Sequence, residues 1–379
     1  MKIMISAGEA SGDMHASAVI KEIKKMIPSA DIFGMGGSQM QAAGARIIYD
    51  INNLGIIGIV EVVRHIPFFL KLKKYLKEIM KKEKPDVLVC VDYPGFNMRL
   101  AKIARELSIP VVYYIAPTIW AWQKGRGAKI VRDVKKVISI FPFEKEAYEK
   151  IGADVTYVGN PLIDTVKPSL SYADAMAYFH GDSKAKRILL MPGSRPNEIE
   201  SLLPVMLKAA RLLLQKMSCQ FFLPKASTIP KEKLTDILEK YPDVPVNITN
   251  DKTYDLMQIS TVCIASSGTA TLETALMKLP TVLVYRLSPL TWFLAKRLVH
   301  VSYVGLPNIL LGKEITPELL QNQVTAESIV HIVGKWITEE QLLEENRKAL
   351  EDVRRLLDIG SAVRQAAQII IETAGDAHG

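Results

Sequence analysis

The sequence predicts an α/β protein with two Rossmann-like, doubly wound domains that face a cleft. Each half of the chain opens with a short apolar strand, a glycine-containing loop and a helix start, first over residues 3–13 and again over residues 187–198. In both halves strands alternate with helices, the pattern of a parallel sheet covered on both faces. A length of 379 residues is also enough for two domains with separate cores.

The boundary between the predicted domains falls where this alternation stops. Hydrophobic periodicity is lost over residues 164–184, a stretch that collects proline, glycine and small polar residues. We therefore predict an N-terminal domain over residues 1–165 and a C-terminal domain over residues 185–356. The last amphipathic segment, about residues 357–379, is expected to pack back on the N-terminal domain.

Composition limits the class of protein. Hydrophobic residues make up 49% of the chain and charged residues 23%, which is typical of a folded globular protein, and the net charge is +8. Three cysteines lie in apolar runs without metal-ligand spacing, as expected for buried thiols in a reducing compartment. No secretory signal is recognisable before the first strand. We expect no metal site, no separate cofactor and no nucleic-acid partner.

The loop Pro192-Gly193-Ser194-Arg195 is the first candidate binding element. It follows an apolar strand and precedes a helix, a geometry that directs backbone N–H groups and the positive end of a helix dipole at an anion. An arginine there adds donors in a fixed planar arrangement that suits a phosphate. The alternative is a plain turn between strand and helix that carries a surface arginine.

A second loop has the same character. Ser267, Gly268 and Thr269 stand at the start of another helix, where their N–H and hydroxyl groups suit a diphosphate. Glu273, one turn later, suits a ribose diol because a carboxylate accepts from both hydroxyls. The alternative for this glutamate is simple stabilisation of the helix start by its charge. Asn308 is either a nucleotide contact or a turn residue.

Carboxylates in the N-terminal half are the candidates for proton transfer. Asp92 ends a fully apolar strand, and the carboxyl ends of parallel strands form the ligand crevice in open α/β sheets. Glu9 and Asp13 lie in the first glycine-containing loop. A glycosyl transfer with inversion needs one base to accept the proton of the attacking hydroxyl and cations to hold the leaving diphosphate. His15 is expected to be a surface helix residue rather than a base.

Two basic segments with large apolar side chains indicate contact with a membrane surface. Within residues 54–84, Phe68 and Phe69 stand beside Lys71, and eight Lys or Arg face two Glu from Arg64 to Lys84. The apolar part is interrupted too often for a spanning helix of roughly 20 residues. Residues 286–300 repeat the pattern. On the residues alone, a core helix with a solvated basic face is the stronger interpretation of the first segment.

Taken together, eight short motifs resemble those of the lipid-A-disaccharide synthase family, in the same order, from Met1 to about Lys313. They are GEASGD (8–13), VDYPGFN (91–97), APTIWAWQKGR (116–126), FPFE (141–144), GNP (159–161), PGSRPNE (192–198), SSGTATLE (266–273) and YVGLPN (303–308). The resemblance implies the two-domain glycosyltransferase B fold. It also implies transfer of 2,3-diacylglucosamine from UDP to 2,3-diacylglucosamine 1-phosphate, forming a β-1,6 disaccharide at the cytoplasmic face of the bacterial inner membrane.

The resemblance also assigns roles to residues. Asp92 would be the base or would position the acceptor, with Glu9 in the acceptor-side loop, and the choice of base between the two stays open. The UDP group would be held by Gly193, Ser194, Arg195, Ser267, Gly268, Thr269, Glu273 and Asn308. The residues that would contact the acceptor or the membrane are Gly12, Asp13, Phe68, Phe69, Lys71, Trp120 and Trp122.

Because both substrates carry acyl chains, the family resemblance makes membrane contact the preferred interpretation of residues 54–84. Ala116 departs from the family pattern, which more often has serine there, so no side-chain role is expected at this position. The oligomeric state stays open, with a homodimer among the alternatives. Two other functions remain: a UDP-sugar 2-epimerase of the same architecture, and a non-catalytic protein that binds the membrane surface.

Overall fold

The computed structural model describes residues 1–51, 66–119, 124–226, 228–288, 292 and 302–376. The chain divides into two compact units. The first unit combines Met1–Pro161 with Asp358–Gly379, and the second is Leu162–Leu357. The first unit is therefore built from both ends of the chain, whereas the second is one continuous stretch.

The first unit alternates strands and helices from its first residues. Its elements are β1 (Lys2–Ala7), α1 (Ala10–Met26), β2 (Asp31–Gly36), α2 (Ser38–Ala42), β3 (Arg46–Asp50), α3 (Ile66–Glu83), β4 (Val87–Val91), α4 (Pro94–Glu106), β5 (Val111–Tyr114), α5 (Lys124–Asp133), β6 (Lys136–Ser139), α6 (Pro142–Glu149) and β7 (Val155–Tyr157). The described strands pair in parallel in the order β3-β2-β1-β4-β5-β6-β7. The central strand β4, with the sequence VLVCV, is buried along its whole length, as expected where helices cover both faces of a sheet.

The end of the chain completes this unit. Its last helix, Ala362–Gly375, packs against α1, β4 and β5. Small side chains such as Ala366 and Ala367 face the core together with Ile370, and they meet the buried face of α1 that carries Ile20. Because alanines let two helix backbones approach closely, this helix fits over the sheet as a covering layer.

The second unit repeats the alternation. Its elements are α7 (Leu162–Thr165), α8 (Tyr172–Tyr178), β8 (Lys186–Met191), α9 (Pro196–Leu214), β9 (Cys219–Pro224), α10 (Lys231–Leu238), β10 (Val246–Thr249), α11 (Thr253–Ile259), β11 (Val262–Ser266), α12 (Thr269–Leu276), β12 (Thr281–Tyr285), α13 (Leu306–Leu311), β13 (Glu318–Leu320), α14 (Ala326–Thr338) and α15 (Glu340–Leu357). With these elements defined, the helix Ala362–Gly375 of the first unit is α16. The described strands are again parallel, in the order β10-β9-β8-β11-β12-β13.

The stretch predicted as a linker, residues 164–184, differs from expectation because most of it is ordered within the second unit. Helix α8 is capped by the hydroxyl of Ser171, and Phe179 packs into a core cluster with Phe222. Just before this helix, the buried carboxylate of Asp255 accepts from the backbone N–H of Ser169 at 2.7 Å and from its hydroxyl at 2.8 Å. A helix of seven residues is too short to show a clear period in the sequence.

Candidate functional site

The loop after β4 places Asp92 in an unusual backbone conformation. Asp92 and Tyr93 have φ angles of +48° and +50°, the left-handed region that non-glycine residues rarely adopt. Each such residue costs about 1–3 kcal/mol and persists only where its surroundings enforce it. The carbonyl of Asp92 is fixed by two donors, the side-chain amide of Asn97 at 2.8 Å and the hydroxyl of Tyr113 at 3.0 Å. Pro94 then starts α4.

Asn97 is the centre of this arrangement. Its side chain is fully buried, and Nδ2 also donates to the carbonyls of Ser6 at 3.1 Å and Val91 at 3.2 Å. Its Oδ1 accepts from the hydroxyl of Ser6 at 2.7 Å. One side chain therefore joins the carboxyl ends of β1 and β4 to the strained loop, and the fold fixes where Asp92 stands.

The loop that carries Glu9 meets the Asp92 loop through Tyr93. A Cβ atom added at Gly8 would lie 2.1 Å from Cδ1 of Tyr93, so the tyrosine ring packs directly on the glycine backbone. Burial raises the pKa of Tyr93, and the charge of Glu9 raises it further. Burial also raises the pKa of Asp92, although a hydrogen bond from the backbone of Tyr93 opposes this. Glu9 and Asp92 thus lie on adjoining loops, and the pKa of the Asp92 carboxyl is raised above its ordinary value.

Asp13, which the sequence assigned to the acceptor side, has a structural role. Its buried carboxylate accepts from the backbone N–H groups of Gly37 at 2.7 Å, Gln39 at 3.0 Å and Met40 at 3.1 Å. These are the otherwise unpaired donors at the start of α2, so Asp13 acts as a cap from a neighbouring helix. The preceding Gly12 is buried, and a Cβ added there would be in ordinary van der Waals contact with Cβ of Ala7 at 3.4 Å.

His15 is half-buried on α1, not fully exposed as the sequence suggested. Its ring packs edge-on against Tyr114, with the centroids 6.5 Å apart and an interplanar angle of 83°. Burial lowers its pKa to about 4, so the imidazole is neutral at ordinary pH. The neutral ring therefore packs against Tyr114 at the carboxyl end of β5.

The second unit contains a cavity of about 720 Å³ at the carboxyl ends of its strands. Two predicted loops line it together, because β8 and β11 are neighbouring strands. The predicted residues that line it are Gly193, Ser194, Arg195, Ser267, Gly268, Thr269 and Glu273. Lys167, Lys225, Lys252 and Tyr254 also line the cavity and were missed from the sequence. Lys225 directly follows β9 and Lys252 follows β10, so the strand-end rule could have found both.

Within this cavity the Pro192–Arg195 loop already holds a carboxylate. Glu198 accepts from the backbone N–H of Ser194 at 3.0 Å and of Arg195 at 3.3 Å. Nη1 of Arg195 lies 3.3 Å from the other oxygen of Glu198, and the arginine side chain is 76% exposed. Gly193 has φ +116°, and an added Cβ would lie 2.2 Å from the Glu198 carboxylate. The backbone N–H groups of this loop therefore bind the Glu198 side chain, which belongs to the start of the same helix. A contact between this loop and a diphosphate stays a prediction.

Glu273 faces the cavity beside Tyr254. The tyrosine hydroxyl donates to Oε1 of Glu273 at 3.0 Å. Burial raises the pKa of Glu273, and the hydrogen bond from Tyr254 counteracts that rise. The charge of this half-buried carboxylate is thus stabilised by one neutral donor, the hydroxyl of Tyr254.

Asn308 lies apart from this cavity, contrary to its predicted contact with UDP. Its Nδ2 donates to the carbonyl of Thr316 at 2.7 Å and to Glu318 at 2.8 Å, and its Oδ1 accepts from the N–H groups of Ile315 at 2.8 Å and Thr316 at 2.9 Å. All the hydrogen-bonding capacity of the buried amide is used inside the protein. Asn308 holds α13 to the segment that enters β13.

The predicted membrane residues Phe68 and Phe69 are half-buried in the first unit. Phe68 packs on Tyr49, with centroids 6.3 Å apart, and Phe69 packs on Phe96 at 6.1 Å. Lys71 is exposed, as expected. Among the described side chains of α3, the large apolar ones that are exposed are Leu70, at 50%, and Tyr75, at 46%. Trp120, Trp122, residues 54–65 and most of residues 286–300 lie outside the described residues.

Two further observations concern the described part of the chain. Its helices are all too short or too polar to span a bilayer. Within the same residues, His, Cys, Asp and Glu side chains do not gather in groups of three or more that could hold a metal ion.

Comparisons with known proteins agree with this description. The profile of the lipid-A-disaccharide synthetase family matches residues 3–372. A lipid-A-disaccharide synthase of Geobacter metallireducens is 40% identical over 375 residues, covering 99% of this chain and 97% of the relative. That of Neisseria meningitidis serogroup A is 36% identical over 376 residues, covering 98% of both chains.

Solved structures share the fold at low sequence identity. A glycosyltransferase from Rickettsia africae matches with a TM-score of 0.62 and 13% identity over 98% of both chains. A UDP-GlcNAc 2-epimerase from Neisseria meningitidis, solved with UDP-GlcNAc bound, matches with a TM-score of 0.67 and 14% identity over 99% of this chain and 100% of the epimerase. The predicted glycosyltransferase B fold is confirmed, and the sequence relatives decide against the epimerase and the non-catalytic alternatives. The chain belongs to the lipid-A-disaccharide synthase family, glycosyltransferases of lipid A biosynthesis.

Proposed function

We propose that this chain transfers 2,3-diacylglucosamine from UDP to the 6-hydroxyl of 2,3-diacylglucosamine 1-phosphate with inversion, releasing UDP. The observation that carries the proposal is the cavity of the second unit, in which two strand-end loops, several cations and a half-buried carboxylate come together. A diphosphate needs cations and N–H donors, and a ribose needs a carboxylate acceptor. Membership of the family supports the same reaction.

In this proposal the second unit holds the donor. Arg195, Lys225 and Lys252 supply positive charge around the diphosphate, and Glu273 accepts from the ribose hydroxyls. These cations stabilise the negative charge that develops on the diphosphate as its bond to C1 of the sugar breaks. We propose that these side chains suffice and that the reaction needs no bound metal ion. An unchanged rate in excess EDTA would support this, and a rate restored only by a divalent cation would contradict it.

The first unit supplies the base. The oxygen of the acceptor 6-hydroxyl bonds to C1 of the donor sugar, and the proton of that hydroxyl passes to Asp92, or to Glu9 on the adjoining loop. The electron pair of the broken C1–O bond leaves with UDP. A base is most useful when its pKa is close to the working pH, and burial shifts the pKa of Asp92 in that direction. The Asn97 contacts keep the Asp92 backbone in place during this step.

We further propose that α3 rests on the anionic inner face of the bacterial inner membrane. Leu70, Lys71, Lys74 and Tyr75 lie on its exposed side, so two large apolar side chains are flanked by cations. An apolar side chain that enters the lipid boundary, with lysines at the headgroups, is the usual composition of such contacts. The opposite side of the helix, with Leu72, Leu76 and Met80, is buried in the core.

The reaction is tested by incubating the purified protein with both lipid substrates and separating the products. We expect the disaccharide 1-phosphate and UDP in equal amounts. Asp92→Asn should lower the rate at least ~100-fold, whereas Asp236→Asn, on the exposed face of α10, should leave it unchanged. No disaccharide, or an epimerised sugar nucleotide instead, would refute the proposal. If only Glu9→Gln lowers the rate, Glu9 is the base.

Membrane contact is tested by sedimentation with vesicles that contain an anionic phospholipid. The double variant Leu70→Ser, Lys71→Ser should bind several-fold less than the parent protein. The matched control Lys25→Ser, Met26→Ser removes one exposed lysine and one exposed apolar side chain from α1, and it should bind as the parent does. An equal bound fraction for the two variants would contradict the assignment to α3.

A further inference from the structure

We infer that Tyr254 is a positioning residue of the nucleotide site, which holds the Glu273 carboxylate by one oxygen so that the other faces the ribose. The inference rests on the proposed binding of UDP in the second unit. Both side chains line the same cavity, and the tyrosine hydroxyl donates to Oε1 of Glu273 at 3.0 Å. Across the described residues, Tyr254 is the one side chain with a recorded hydrogen bond to Glu273.

The position of Tyr254 is itself fixed. Helix α11 begins after Lys252, which has φ +52° and so sets the direction of the first turn. The next residue, Asp255, is tied by its carboxylate to Ser169 and, at 2.6 Å, to the N–H of Leu170. The ring of Tyr254 is partly buried against the core cluster beneath it. The backbone is therefore fixed shortly before Tyr254, at Lys252, and directly after it, at Asp255.

A carboxylate benefits from such a neighbour when it must bind two hydroxyls. A free glutamate side chain has three rotatable bonds, and ordering it on ligand binding costs free energy. The hydroxyl of Tyr254 restricts the carboxylate of Glu273 to one orientation before the ligand arrives. It also stabilises the charged form, which accepts hydrogen bonds without donating any. Both effects act on the ribose contact and on no other part of UDP.

This gives Tyr254 a distinctive signature in binding experiments. The variant Tyr254→Phe keeps the ring and its packing and removes only the hydroxyl. Its effect should depend on whether the ligand has ribose hydroxyls. If the tyrosine instead packs against the base or supports the fold, its loss should weaken the binding of every uridine diphosphate equally.

We therefore propose titrating the full-length protein with UDP and with 2′,3′-dideoxyuridine diphosphate by calorimetry. Tyr254→Phe should weaken UDP binding roughly 3- to 10-fold, the size of one hydrogen bond, and change dideoxy-UDP binding less than about twofold. In a Glu273→Ala background, which has no side-chain acceptor for the tyrosine hydroxyl, the same change should have no further effect on UDP. Tyr241→Phe, which removes a tyrosine hydroxyl outside the cavity, serves as the matched control.

An equal loss for both ligands, or no loss for either, would overturn the inference. An undiminished effect of Tyr254→Phe in the Glu273→Ala background would overturn it too. These outcomes leave the proposed reaction intact if the parent protein still forms the disaccharide. A parent protein that binds no UDP and forms no disaccharide would overturn the proposed function together with this inference.

Discussion

Replacing Asn97 by alanine should uncouple the strained Asp92 loop from the rest of the first unit. The two hydrogens of its Nδ2 are shared among three carbonyls, and its Oδ1 accepts from the hydroxyl of Ser6, so the side chain makes the equivalent of three hydrogen bonds. At about 1 kcal/mol of net stabilisation for each, their loss should lower the free energy of unfolding by roughly 3 kcal/mol. Water that enters the small cavity would reduce this cost toward 2 kcal/mol.

The effect on catalysis should exceed the effect on the amount of folded protein. Without Asn97, the left-handed conformation of Asp92 and Tyr93 is free to relax, and relaxation releases about 1–3 kcal/mol per residue. A carboxyl displaced by about 1 Å typically costs a factor of ~100 in rate. We therefore expect kcat to fall ~100-fold at temperatures where the variant is still folded, with KM changed much less.

Urea unfolding followed by circular dichroism and the disaccharide assay measure the two effects separately. Tyr113→Phe removes one of the two donors to the Asp92 carbonyl. It should lower the free energy of unfolding by about 1 kcal/mol, and it should lower kcat less than Asn97→Ala does. Asn247→Ala, on an exposed strand position of the second unit, is the control and should be nearly neutral. Asn97→Ala with wild-type stability and wild-type kcat would refute the reasoning, because the strained loop would then be held by other contacts.

Three further predictions each concern one carboxylate side chain. Glu198→Gln removes the negative charge from the Pro192–Arg195 loop, so UDP should bind roughly two- to fivefold more tightly by calorimetry, about 0.5–1 kcal/mol; weaker binding would show that the carboxylate helps to shape the site. Asp13→Ala leaves the start of α2 without its cap and should lower the free energy of unfolding by about 1–2 kcal/mol in urea, and an unchanged midpoint would contradict the capping role. Burial raises the pKa of Glu144 from 4.5 to about 8, so the folded state binds more protons than the unfolded state between these values and stability falls as pH rises through that window; Glu144→Gln should remove this part of the slope between pH 5 and pH 8, and an identical slope would exclude it.

The alternation of strands and glycine loops was enough to predict which loops share a site in the second unit. Gly193 and Ser267 each follow an apolar strand, and parallel strands bring such loops to one edge of the sheet. The same rule located Asp92 and Glu9 at one edge of the first unit. These predictions depended on local pattern and on the general topology of α/β sheets, which a sequence displays directly.

The partners of buried polar side chains could not be predicted in this way. Asp13 bonds to backbone groups more than twenty residues away, and Asn308 is satisfied by a segment that follows its own helix. Nothing in the local sequence shows whether a polar side chain has such a partner or is free for a ligand. Tyr254 is the reverse case, a residue that lines the cavity but was not predicted to do so. An aromatic residue in the first turn of a short helix resembles an ordinary core residue.

The half-burial of Phe68 and Phe69 could have been predicted from the sequence. Leu72, Leu76 and Met80 recur at intervals of four residues and define the buried side of α3. Extending that stripe backwards reaches Phe68 and Phe69 and leaves Leu70 on the opposite side, where the structure exposes it. Composition identified the segment, and the helical phase decides which of its side chains face outward.

The division of the chain has a consequence for its synthesis on the ribosome. The second unit is continuous and has all its residues once Leu357 is made, whereas the first unit still lacks Ala362–Gly375 at that moment. Until those residues emerge, the faces of α1, β4 and β5 that this helix covers remain apolar and uncovered. Domains usually finish folding from the N-terminus during translation. Here the half of the protein that is translated first is completed last, and loss of the final helix would damage the N-terminal half.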